Sequence, residues 1–158
     1  MSVLVNDQEE KTMREILFRG KRIDNGEWVF GSIAHQADYY GDRRDRWFIV
    51  EDSFTSDYGI DEVIEVKKET IGQYIGMTDK NGKRIFEGDI IDMTGEWWDA
   101  SGPTHHDSPI CAVEFDEFTG GFNPFANYDC DCGVYINASG CKVIGNIYDS
   151  RELLEEKE

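Results

Sequence analysis

Short runs of β-branched and aromatic residues, bounded by Gly, Asn and Asp, recur along the chain from Glu15 onward. They begin with Ile16-Leu17-Phe18 and Trp28-Val29-Phe30, and continue through Trp47-Phe48-Ile49-Val50 and Val63-Ile64-Glu65-Val66. Ile85-Phe86, Ile90-Ile91, Ala112-Val113-Glu114-Phe115, Val134-Tyr135-Ile136 and Val143-Ile144 complete the set. Helical periodicity is confined to the C-terminal end, where Ser150 is placed to cap Arg151-Glu152-Leu153-Leu154-Glu155-Glu156. The pattern predicts an α+β, predominantly β fold: short twisted strands in one or two small barrel-like sheets, with a short C-terminal helix. Residues 1–12 are polar and aperiodic and read as a flexible leader, 13–154 as one domain, and 155–158 as an acidic tail.

A short internal repeat supports the β reading. Gly26-Glu27-Trp28-Val29-Phe30-Gly31-Ser32-Ile33 aligns without gaps to Gly140-Cys141-Lys142-Val143-Ile144-Gly145-Asn146-Ile147. The stretch from Gly82 to Ile90 matches with one inserted residue. Each unit opens on Asn-Gly or Ser-Gly, a tight-turn signal, and each carries a later Gly, expected to mark a bulge or a close approach of two backbones. The segments from His35 to Ile60 and from Trp97 to Pro109 stand apart as excursions from this framework.

Composition changes the picture mainly through charge. The 158 residues hold 16 Lys and Arg against 33 Asp and Glu, a net charge of −17, with 39% hydrophobic and 13% aromatic residues. That is enough apolar material for a core, and no run is long enough to cross a membrane as a helix. From Ile85 to Cys141 there is no Lys or Arg. Eleven acids lie in that stretch: Glu87, Asp89, Asp92, Glu96, Asp99, Asp107, Glu114, Asp116, Glu117, Asp129 and Asp131. Such a surface repels nucleic acid and steers basic partners, so direct nucleic-acid binding is not expected.

Candidate chemistry is sparse. Cys130-Asp131-Cys132 has C-x-C spacing, shorter than usual zinc loops, and Cys141, Cys111 or His105-His106 would have to complete a metal site. The low-ranking metal candidates are thus Cys130, Cys132, Cys141, His105 and His106, against a plain reading as reduced cytosolic thiols. Arg43-Arg44-Asp45-Arg46-Trp47-Phe48 interleaves basic and aromatic residues, but neighbouring acids neutralise it, which favours a loop running into a core strand. Glu87 and Asp89 would act as paired carboxylates only with a raised pKa on one of them. The favoured alternative is structural: Asp89 accepts backbone N–H bonds and fixes the corner after Lys80-Asn81-Gly82-Lys83. The aromatic series Phe115, Phe118, Phe122, Phe125 and Tyr128 is read chiefly as core, with Trp97-Trp98 as candidates for a partner surface. Catalytic motifs are missing, so the chain is expected to be no enzyme and to need no cofactor.

The segment ETIGQYIGMTDKNGKRIFEGDIID, from Glu69 to Asp92, resembles the signature of the YopX family of phage and prophage proteins. Its flanks fit the same pattern: Ile16-Leu17-Phe18-Arg19-Gly20-Lys21 before it, Val113-Glu114-Phe115-Asp116 and Gly120-Gly121-Phe122 after it, and Val143 to Leu154 at the end. The similarity runs in order from about Met13 to Leu154. Gly20 and the Ser150-Arg151 pair depart from the pattern, and the inserts around Cys130 and Trp97 inherit nothing from it. The resemblance implies a small, β-rich, cytoplasmic protein made in a bacterial host, and it transfers no catalytic or cofactor residues. The leading expectation is a non-catalytic module that binds a host or phage protein and assembles as a homo-oligomer, since a small β fold must cover its edge strands. The alternatives are an acidic nucleic-acid mimic that inhibits a host DNA-binding protein, and a metal-binding module or enzyme built on the Cys/His inserts.

Overall fold

The structure is a computed structural model that describes residues 13–37, 45–51, 62–94, 98–99, 102–103, 110–125 and 138–155. The strands are, in chain order, β1 (Phe18–Lys21), β2 (Trp28–Gln36), β3 (Arg46–Glu51), β4 (Glu62–Val66), β5 (Gly72–Thr78), β6 (Arg84–Phe86) and β7 (Asp89–Asp92). They continue with β8 (Trp98–Asp99), β9 (Gly102–Pro103), β10 (Ile110–Ala112), β11 (Glu114–Asp116), β12 (Gly121–Asn123) and β13 (Lys142–Asn146). One sheet has six strands in the order β4-β3-β2-β1-β5-β6, and a second has three in the order β10-β7-β13. β11-β12 and β8-β9 form separate two-stranded ribbons. The strand pairings are antiparallel.

The mainly β expectation holds, with two corrections. Among the described residues β4 and β6 end the six-stranded sheet without pairing to each other; barrel-like closure goes no further than the end of β4, where Val66 bridges Arg22, the Lys67 N–H donates to the Lys21 carbonyl and the Ile23 N–H to the Glu65 carbonyl. The C-terminal helix is only a four-residue 3-10 turn, Arg151–Leu154, and the Ser150 side chain makes no capping hydrogen bond. Ser150 instead packs against Gly145, where an added Cβ would come within 2.9 Å of the serine Cβ. The backbone bonds close over three residues, from the Leu153 N–H to the Ser150 carbonyl and from the Glu155 N–H to the Glu152 carbonyl, which is 3-10 geometry. The excursion predicted from His35 to Ile60 also changes character. His35 ends in β2 and 46–51 form β3, an interior strand; residues 38–44 and 52–61 lie outside the described residues, as does the leader over 1–12.

The strand glycines behave as the repeat suggests. A Cβ on Gly31 would lie 2.1 Å from the Val50 carbonyl oxygen, so β2 and β3 meet there with no room for a side chain. At the equivalent Gly145, β13 slips register against β7 between Val143 and Gly145. Two apolar clusters result. Val29, Ile49, Ile64 and Val66 form one within the large sheet. Ile75, Ile85, Ile91, Met93, Val113, Ala138, Cys141 and Val143 form the other around β7. Ile90 and Ile91 are both fully buried although neighbours on a strand point to opposite faces. β7 is therefore covered on both sides, which explains its continuous apolar run.

Candidate functional site

The turn from β6 to β7 places Glu87-Gly88-Asp89 where the two main sheets meet. Asp89, nearly inaccessible, accepts the Phe86 N–H at 2.8 Å on one oxygen, as its position in the turn suggests. Its other oxygen receives Nη1 of Arg19 at 2.6 Å, a partner 70 residues away in sequence. Nη2 of Arg19 donates to the Glu87 carbonyl at 3.1 Å. The Gly88 N–H donates to the Val113 carbonyl, and the Gly88 carbonyl accepts the Ile147 N–H. One corner thus ties β1, the β6–β7 turn, the start of β11 and the end of β13 together.

The Arg19 guanidinium lies between two rings, 4.7 Å from the Trp28 centroid and 5.0 Å from that of Phe86. Face-on aromatic contact compensates a buried cation for part of its lost hydration. Burial pushes the Asp89 carboxyl upward, while Arg19 and the Phe86 N–H pull against that shift. Glu87 is half-buried and is also pushed up, again mainly by burial, while the Asp89 oxygens bond to Arg19 and the Phe86 N–H. Both Asp89 oxygens are occupied, so the two carboxyls do not assemble as an acid–base pair.

A cleft of about 710 Å³ opens beside this corner. Trp28 and Phe30 of β2, Tyr74 of β5 and Phe86 of β6 supply its rings; Phe86 lies 5.4 Å from Phe30 and 5.7 Å from Tyr74, centroid to centroid, in tilted contacts. Arg19, Lys83, Arg84, Glu15 and Asp89 supply the charges. Arg19 pairs with Asp89 and Arg84 with Glu15 at 2.8 Å, whereas Lys83 forms no direct ion pair among the described residues and acts on Asp79 and Asp89 at longer range. The cleft's floor is fixed from behind by Asp149, which accepts from Lys21, from Trp28 Nε1 at 2.9 Å and from Asn146 Nδ2 at 3.0 Å. Those bonds, with that of Lys21 foremost, hold the Asp149 carboxyl down at about 2.

The other sequence candidates fall elsewhere. Cys130, Cys132, His105 and His106 lie outside the described residues. Cys141 is buried in the second apolar cluster next to Cys111, whose thiol burial and the neighbouring Cys141 push up to about 11. No group of three potential ligands capable of holding a metal ion occurs among the described residues. Arg46 forms a two-point pair with Glu65 at 3.0 and 2.5 Å, in keeping with a basic stretch that runs into a strand. Phe122 and Phe125 pack on the second cluster, as expected of core residues. Phe115 and Phe118 do not: Phe115 is half-exposed and Phe118 fully so. The chain leaves β10 at Val113 and starts a separate ribbon, which breaks the alternation that would have turned Phe115 inward. Tyr128 and the side chains of Trp97 and Trp98 lie outside the described residues.

Sequence reasoning placed Asp89 correctly and missed its partner. Arg19 was visible as one of the two cations of β1; Tyr74, Phe86 and Asp149 sit in the family-like segments, and Trp28 in the internal repeat. What was not visible was that these segments converge.

The fold and site define a β-rich protein with an aromatic-walled cleft whose buried carboxylate is paired with Arg19. The model described as YopX protein matches residues 17–155, and the chain belongs to the YopX family. The crystal structure of protein EF1440 from Enterococcus faecalis is similar at 23% identity, covering 90% of this chain and 99% of that chain with a TM-score of 0.45. No curated protein matches. No helix among the described residues is long and apolar enough to cross a membrane.

Proposed function

We propose that this phage-type protein is a non-catalytic binding module whose aromatic cleft receives a segment of a host or phage protein. The observation that carries the reading is the cleft itself. Its walls are rings, Phe30 is 45% exposed, and the buried carboxylate within it is used up by Arg19 and a backbone amide. Aromatic walls with few, fixed polar groups suit recognition, and a neutralised acid is poorly suited to proton transfer. The acidic-mimic alternative loses support at one point: Asp89, one of the eleven acids, is withdrawn into the Arg19 pair and presents no charge outward. Cytoplasmic residence and self-assembly belong to the same proposal and are compatible with it.

The test is site-directed photocrosslinking in infected or prophage-bearing cells, with p-benzoylphenylalanine replacing Phe30 and, as control, replacing exposed Val63. A discrete adduct with one other protein from position 30 alone supports the reading. Adducts made only between copies of this chain would assign the face to a self-interface, and equal labelling from both positions would overturn the cleft as the docking site.

A further inference from the structure

We infer that the cleft is selective for a segment carrying a bulky apolar side chain next to a single carboxylate, presented by an otherwise basic protein. The inference rests on the cleft being the docking site and adds the chemistry of what docks.

Three observations bear on it. The Phe30, Phe86 and Tyr74 rings form one continuous wall, with Tyr74 and Phe86 nearly inaccessible and Phe30 open at the rim. A side chain laid on that wall completes the burial of Phe30. Lys83, at the same rim, forms no direct ion pair among the described residues, in a chain of net charge −17. Arg84 stands beside it, with its guanidinium 5.8 Å from the Tyr74 ring centroid. One carboxylate adjoining the apolar side chain meets both cations, and Lys83, which feels Asp79 and Asp89 only at longer range, gains a direct hydrogen-bonded counter-ion.

The rest of the molecule restricts where that carboxylate comes from. Long-range repulsion from the acidic body opposes a polyanion, so a chain of phosphates is disfavoured even where Lys83 would accept one. A mostly basic partner is attracted over the whole approach and brings its one acid to the only part of the rim with an unpaired cation among the described residues.

The experiment titrates the full-length ¹⁵N-labelled protein with the peptide Ac-Lys-Lys-Phe-Asp-Lys-Lys-amide. The expected result is saturable shifts at the Trp28 indole and at the Gly82, Lys83, Gly145 and Asn146 amides. Exchanging the peptide's Asp for Asn weakens binding roughly fivefold, as does Lys83→Gln, whose side chain holds nothing in the fold. Exchanging its Phe for Ala weakens binding on the order of tenfold. Equal binding of the Asn peptide overturns the carboxylate requirement. Shifts confined to residues outside the cleft overturn the site, and tighter binding of a hexathymidylate at the same amides overturns the choice of a protein ligand. Should the peptide fail while position 30 still crosslinks a partner, the ligand chemistry falls and the docking site stands; failure of both removes the two together.

Discussion

Two turns in this protein are built alike and end differently. In the turn from Asp79 to Lys83, Asp79 accepts the Asn81 N–H at 2.8 Å, its carbonyl accepts the Gly82 N–H, and Gly82 has φ +77°. In the turn from Asp116 to Gly120, Asp116 accepts the Phe118 N–H at 2.8 Å, its carbonyl accepts the Gly120 N–H, and Gly120 has φ +68°. The difference lies in the second carboxylate oxygen. That of Asp79 accepts the Val143 N–H at 3.0 Å, 64 residues on, and the side chain is buried. That of Asp116 reaches Asn123 at 3.4 Å, its carboxylate also taking bonds from nearby Thr119, and the turn projects a bare Phe118. The same local chemistry makes one turn a structural clip and the other a display loop. What decides between them is whether a distant strand needs an acceptor.

The comparison can be broken at the corner that the first turn serves. Asp89→Ala leaves Arg19 buried without its charge partner, and the expected loss is about 3–5 kcal/mol in chemical denaturation. A loss below about 1 kcal/mol would mean that the ring sandwich alone carries the guanidinium. Removing the clip comes next: Asp79→Ala strips three backbone N–H groups of their acceptor and should cost about 2–3 kcal/mol. Asp116→Ala should cost clearly less, because water reaches its donors; equal losses at the two positions would dissolve the contrast.

Acid sharpens the same contrast with a known sign. Burial pushes the Asp79 carboxyl up, but the Val143, Lys83 and Asn81 N–H groups outweigh it and hold the group below its ordinary 3.8. A carboxyl lowered in the folded state stabilises the fold above its unfolded value, and that stability is lost as pH falls through the folded value. The melting-temperature gap between the native chain and Asp79→Asn is therefore expected to narrow as pH drops below about 4. A gap that stays constant down to pH 2 would show that Asp79 is not ionised where it matters. The smallest effect is assigned to Phe118→Ser: with its ring fully exposed, stability should stay within about 0.5 kcal/mol of the native chain.

Much of the fold was legible because its cues are local. Asn81-Gly82 announces a turn through the backbone freedom of glycine, and the runs around Ile49, Ile64 and Ile91 announce strands through their shape. Asp89 could be assigned its corner because its amide donor, on Phe86, is three residues away. Phe115 was misjudged because alternation predicts a face only while the strand continues, and this one changes sheets at Val113. The C-terminal helix was overestimated because apolar spacing says which side would be buried, not whether the backbone bonds close over four residues or, as here, over three.

The cleft belongs to the other category. Its residues are plain in the sequence, where Arg19, Trp28, Tyr74, Lys83 and Phe86 read as strand residues and turn cations. Their assembly depends on pairings across long stretches of chain, such as Arg19 with Asp89 and Trp28 with Asp149. By itself the sequence determined the strand-rich composition of the fold, the positions of its tight turns, the acidic character and the family. Only the tertiary structure decided which charges are cancelled, which rings face one another and which cations line the cleft, because burial and electrostatic pairing are properties of neighbours in space.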